Sequence, residues 1–175
     1  SSILTALFDE IFLGEKGILE KYGVRPRYAS WEGAVVNEKV LVSSETLKEL
    51  SRAFRKGLGL VTGRGRWETE RTLGALMKFF EPEACIFIAD LRKPEYEKPS
   101  PKPLLEAAAA VSARSIIYVG NSAEDLLMSR NAEEKGLPTI FAGIVSDDLS
   151  LQYFVDREAD VILDDVNAIL KICLL

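Results

Sequence analysis

From residue 57 to residue 175 the sequence alternates short, wholly apolar runs with longer stretches of helical periodicity, and this alternation restricts the fold more than any other feature. An apolar run without polar alternation suits a strand buried on both faces, and intervening helices supply the crossovers that parallel pairing needs. The candidate strands are Leu58–Thr62, Cys85–Ala89, Ser115–Val119, Thr139–Ala142 and Val161–Leu163. Helical patterns fall near Arg66–Phe80, Pro103–Val111, Ala123–Lys135 and Asp147–Arg157, with a last one from Val166 to Leu174. Right-handed crossovers then predict an α/β fold, a doubly wound parallel sheet in three layers.

Residues 1–56 have a different texture. Leu4, Leu7, Phe8, Ile11 and Phe12 recur at the spacing of an amphipathic helix with one buried face, Gly14 interrupts it, and Gly17 to Tyr22 resumes it. Trp31 to Val42 holds two short apolar runs around a polar turn and predicts a small hairpin. Ser43-Ser44-Glu45 offers a helix N-cap and an acidic first turn, and Leu47, Leu50, Ala53 and Phe54 give that helix its core face. Lys56-Gly57 ends it.

Composition removes several kinds of chemistry. The chain contains no histidine, so imidazole-based nucleophile systems and imidazole-ligated metals are excluded, leaving carboxylates, lysine, hydroxyls and backbone amides. Lys and Arg total 22 against 27 Asp and Glu, a formal charge of −5, which gives no basic footprint for nucleic acid or an anionic membrane. Cys85 and Cys173 both sit in apolar stretches without CxxC spacing and read as buried hydrophobes of a reducing cytoplasm. No apolar run is long enough to span a membrane.

Parallel sheets bind ligands at the carboxyl ends of their strands, so the residues that follow each run are the candidate site. Thr62-Gly63-Arg64 follows the first, Asp90 the second, and Gly120-Asn121-Ser122-Ala123-Glu124-Asp125 the third. A hydroxyl beside exposed amides at Thr62-Gly63 suits a phosphate oxygen, and it equally suits a plain helix N-cap. Asn121 and Asp125 could converge on a hard cation such as Mg2+, or simply cap the helix that starts near Ala123. Lys98 stands in the proline-stiffened stretch Lys98-Pro99-Ser100-Pro101-Lys102-Pro103, where it could face the same strand ends or remain solvated, as could Lys93 and Lys102.

In this order the pieces resemble the motifs of the haloacid dehalogenase-like hydrolases. Leu60-Val61-Thr62-Gly63-Arg64 resembles the second motif, Lys98-Pro99-Ser100-Pro101 with Leu104-Leu105-Glu106-Ala107-Ala108 the third, and Ile117 to Asp125 the fourth. Gly136-Leu137-Pro138-Thr139-Ile140 and Ala159 to Asp164 resemble the closing strands. The resemblance covers about residues 57–175 and implies a magnesium-dependent phosphatase working through an aspartyl-phosphate on a small phosphorylated metabolite. It implies that Thr62, Gly63 and Arg64 contact the phosphoryl group, that Lys98 balances its charge, and that Asn121 and Asp125 help hold Mg2+. A cytoplasmic enzyme that could form a homodimer, without nucleic-acid or membrane partners, is the corresponding expectation.

The sequence departs from that pattern twice. Asn121 stands where the fourth motif usually has an aspartate, and no Asp-x-Asp nucleophile motif precedes Thr62. Leu7-Phe8-Asp9-Glu10-Ile11 begins like that motif but completes a helical stripe instead. Residues 1–56 are therefore read as the later part of a helical cap domain, residues 57–175 as a core, and the nucleophile segment is expected upstream of Ser1 or on a separate chain of the same protein. In that family the missing strand is central, between those ending at Thr62 and Val119, so a slot is expected there. The alternative is a non-catalytic homologue that binds a phospholigand or a partner. An unrelated nucleotide-binding domain is disfavoured, because no Gly-x-Gly-x-x-Gly follows a strand.

Overall fold

The computed structural model describes residues 3–28 and 30–173. Five strands form, all parallel to their neighbours: β1 (Leu58–Thr62), β2 (Phe80–Phe87), β3 (Ile116–Gly120), β4 (Thr139–Ile144) and β5 (Val161–Leu163). They make two small sheets, one in the order β1-β2 and one in the order β3-β4-β5. The α/β class and the parallel pairing agree with the periodicity of the sequence.

The helices are α1 (Ile3–Tyr22), α2 (Ser44–Ala53), α3 (Arg66–Leu73), α4 (Ile88–Leu91), α5 (Lys102–Ala110), α6 (Ala123–Glu134), α7 (Asp148–Asp156) and α8 (Leu170–Cys173). Their starts are set by local chemistry. Ser43 Oγ accepts from Thr46 N at the head of α2, and Ser122 and Asp125 form a reciprocal capping box at the head of α6. No described helix is long and apolar enough to cross a membrane.

The main core belongs to the three-stranded sheet. Phe141 and Ala142 on β4 are fully buried, and Phe141 packs between the rings of Tyr118 and Phe154, with centroids 6.1 and 5.5 Å away. Leu126, Met128 and Ala132 of α6 close one side of this cluster. The other sheet is less enclosed, since no residue of β1 is fully buried. The free edges of β1 and β3 border a common cavity of about 1410 Å3, with Leu58–Val61 on one side and Ile116–Val119 on the other. Leu104 and Ala108 of α5, Leu47 of α2 and Ile169 near the C-terminus also line it.

Four sequence expectations are corrected. The stripe on α1 is not its buried face: Leu4, Phe8 and Ile11 are exposed, while Glu10, Leu13, Gly14, Gly17 and Ile18 are buried. Glu10 is covered because its carboxylate accepts from the backbone N–H groups of Arg27 (2.8 Å) and Tyr28 (2.7 Å). Gly14, at φ 67°, lies so near Gly33 that a Cβ would sit 2.1 Å from its nitrogen, which pins the buried side of the helix there. The hairpin over Trp31–Val42 is absent; a single 3-10 turn spans Ala34–Asn37, because Val36 N bonds Gly33 O locally and no second strand pairs there. The second strand begins at Phe80 rather than Cys85, since the helix after β1 stops at Leu73 and a 3-10 turn over Gly74–Phe79 brings Phe80 beside Leu58. Finally, Ile88 and Ala89 turn into α4 instead of extending β2.

Candidate functional site

The carboxyl ends of β1, β2 and β3 carry the polar residues that the sequence singles out. At the end of β3, Gly120 must be glycine for a steric reason: a Cβ there would meet Asp125 Cβ at 2.5 Å. That close approach lets the turn fold back over the head of α6. Asp125 is 4% exposed and receives five donors. Lys98 Nζ (2.5 Å) and Tyr118 Oη (2.7 Å) donate to Oδ1. Asn121 N and Ser122 N, each at 3.1 Å, and Ser122 Oγ at 2.9 Å donate to Oδ2.

These contacts decide the charge of the group. Burial by itself would raise the Asp125 pKa, but the bonds from Lys98 and Tyr118, with the lysine charge and Ser122, hold it below the ordinary carboxylate value. The Tyr118 hydroxyl moves upward, through burial first and then the neighbouring Asp125 charge, so it remains a donor. Asp125 is thus an ionised carboxylate at neutral pH. The capping role open to it from sequence is realised, since it is the third residue of α6 in the capping box.

Lys98 reaches this carboxylate from the loop between α4 and α5, with its side chain 18% exposed. The loop is anchored by Tyr96, whose hydroxyl donates to Glu106 Oε1 of α5 (2.6 Å), and by Ser100 Oγ, which donates to Glu95 O (2.6 Å). The Lys98–Pro99 peptide is cis. Lys102 turns away, pairing with Glu95 at 3.6 Å and lying over the Tyr96 ring.

The end of β1 is open by comparison. Thr62 Oγ1 accepts from Arg64 N at 3.2 Å, and a Cβ built on Gly63 would touch nothing within 4 Å. Thr62 does not cap α3, whose N-cap is Gly65; Asp90 helps there by accepting from Arg66 N at 2.8 Å. Gly63, Lys98 and Glu124 line one cavity of about 630 Å3, together with Arg92, Lys93 and Glu97. The structure thereby brings Gly63 and Lys98 to one space, with Asp125 directly behind Lys98.

Arg64 stands apart from that space. Its guanidinium pairs with Glu38 at 2.9 Å and lies over the Phe12 ring, so it ties β1 to the N-terminal region. Asp9 is on α1, accepting from Tyr22 Oη at 2.9 Å, and is not among the residues lining the cavity. Sequence reasoning passed over Arg92, which lines the cavity from the turn after α4; its only sequence signal is a cation two residues beyond Asp90.

Asp125 has both oxygens occupied by five donors, one of them an ammonium group, and among the described residues no three acidic or sulfur ligands cluster. In this arrangement the Asn121/Asp125 pair does not fit a directly bound Mg2+, which would need open carboxylate oxygen. Comparison with family models, curated proteins and solved structures gives no match to the chain.

Proposed function

We propose that the chain carries the phosphoryl-binding half of a phosphoester hydrolase. The observation that carries this reading is that Gly63, next to Thr62 in the chain, and Lys98, held by the ionised Asp125, border one cavity at the carboxyl ends of parallel strands. An anionic phosphoryl group entering there would meet the backbone of the exposed Gly63 and the ammonium of Lys98. Asp125 serves as a positioning residue, since its hydrogen bond fixes Lys98 at the strand ends. The anion would compete with Asp125 for that ammonium.

In this reading the two sheets are the halves of one doubly wound sheet, and a further strand of the same protein, seated between β1 and β3, brings the aspartate nucleophile. The unpaired edges on either side of the large apolar cavity support it. Such a chain would hydrolyse a small phosphorylated substrate in two steps, phosphoryl transfer to the aspartate and then to water. No step is assigned to Mg2+, because the donor set does not fit it.

The test is phosphate release from p-nitrophenyl phosphate by the complete gene product, with and without Mg2+. Turnover that falls at least 100-fold in Thr62→Ala or Lys98→Ala is the expected outcome. A second reading, phospholigand binding without turnover, is favoured by the saturated Asp125 and by Asn121. Phosphate-dependent stabilisation with no turnover in any metal would select it, and absence of both would remove both.

A further inference from the structure

The phosphoryl reading uses Gly63 and Lys98 of the 630 Å3 cavity and leaves the turn after α4, which also lines it, without a task. In that turn Arg92 adopts a left-handed backbone, φ 50° and ψ 40°. An arginine gains nothing sterically from this region, which disfavours any residue with a Cβ. The conformation ends α4 at Leu91 and sets Arg92 and Lys93 along the cavity. The segment beyond is held by Tyr96 N donating to Lys93 O (2.9 Å) and by the Tyr96–Glu106 bond, so the turn is built on an anchored frame.

The side chain of Arg92 is uncommitted. Arg92 has no ion-pair or hydrogen-bond partner among the described residues; Arg55 and Arg114 equally lack a carboxylate partner but lie elsewhere, whereas Arg92 lines this cavity. Lys93 is 5.8 Å from the Tyr96 ring centroid, and Lys98 is engaged by Asp125. Glu97 and Glu124 also line the cavity, so its charge is mixed and it is no general trap for polyanions. A free planar guanidinium facing a cavity is suited to bidentate contact with a carboxylate or phosphate.

We propose that Arg92 recognises a second oxyanion, a carboxylate or a second phosphoryl group, carried by the organic part of the ligand. The inference rests on the reading above, in which the Gly63–Lys98 side takes the first phosphoryl group. The substrate class is then a phosphate ester with an additional anionic group a few bonds away.

The test is calorimetric titration of the complete gene product with hydrolysis-resistant probes: propylphosphonate, 3-phosphonopropionate, propane-1,3-bisphosphonate and 3-aminopropylphosphonate. At least one of the two doubly anionic probes should bind roughly tenfold or more tightly than propylphosphonate. Arg92→Gln should erase that gain and leave propylphosphonate binding unchanged, and Arg92→Lys should restore part of it. Arg92→Gly should erase the gain with no fall in melting temperature, which separates a binding role from a structural one. Equal affinity for singly and doubly anionic probes, a preference that survives Arg92→Gln, or tightest binding of the aminophosphonate would overturn the proposal while leaving the phosphoryl reading intact. Failure of every phosphonate to bind would overturn both.

Discussion

The two sheets of this molecule are built from similar apolar runs and reach different degrees of closure. β4 has a parallel neighbour on each edge and two fully buried residues, Phe141 and Ala142, whereas β1 pairs only with β2 and has none. Their carboxyl ends differ in the same way. Beyond β3 a carboxylate takes five donors; beyond β1 the Thr62 hydroxyl takes one, and Gly63 faces open space. A hydrophobic strand is therefore a requirement for partners on both edges, and where one edge lacks a partner both packing and polar closure stop short.

The largest expected difference lies in the cores. Phe141→Ala removes a ring buried between Tyr118 and Phe154 and should cost about 3–5 kcal/mol in urea unfolding. Val61→Ala, on half-buried β1, should cost about 1 kcal/mol, and equal losses would break the contrast between the sheets.

Next in size is the ion pair. Lys98→Met leaves a buried carboxylate without its counter-charge and should cost about 3 kcal/mol, partly moderated by the Tyr118 and Ser122 donors. The pH dependence has a definite sign. Because the folded Asp125 pKa lies below its unfolded value, near 3.9, its stabilisation is present above that pH and fades as pH falls through the folded value. Asp125→Asn should therefore be less stable than the parent at pH 6 and should lose less on acidification to pH 2.5. A variant whose acid transition parallels the parent's would show that Asp125 does not govern this limb.

The smallest effects compare the strand ends directly. Gly120→Ala forces a methyl against Asp125 and should cost about 1–3 kcal/mol, while Gly63→Ala should stay within about 0.5 kcal/mol. If Gly63→Ala proved as costly, the open character of the β1 end would be wrong.

Much of the α/β portion could be read along the chain. β1 and β5 match their apolar runs in full, β3 is displaced by one residue, and β4 extends two residues beyond its run. The cap at the head of α6 was open to Asp125 from local spacing, but its partner there is Ser122 rather than Asn121. The N-terminal region was misread for the converse reason. The apolar spacing of α1 is helical, yet which side is covered depended on Gly14 meeting Gly33 and on Glu10 receiving two distant amides. β2 and the 3-10 turn before it were likewise misplaced, because Phe80 joins the sheet through pairing with Leu58 rather than through any local periodicity.

The candidate site divides along the same line. Thr62, Asn121 and Asp125 could be named from sequence as strand-end residues and Lys98 as a loop cation, but their roles could not be. Only the fold turned Arg64 toward Glu38, set Lys98 against Asp125, filled the Asp125 oxygens with donors and left Arg92 facing the cavity. The sequence by itself determined the parallel α/β class, the Ser43 cap of α2 and the exclusion of imidazole chemistry, because these follow from residue type and short-range spacing. The tertiary structure decided which faces are buried, which strand edges lack partners and which charges are paired, because each depends on groups that are distant along the chain and adjacent only after folding.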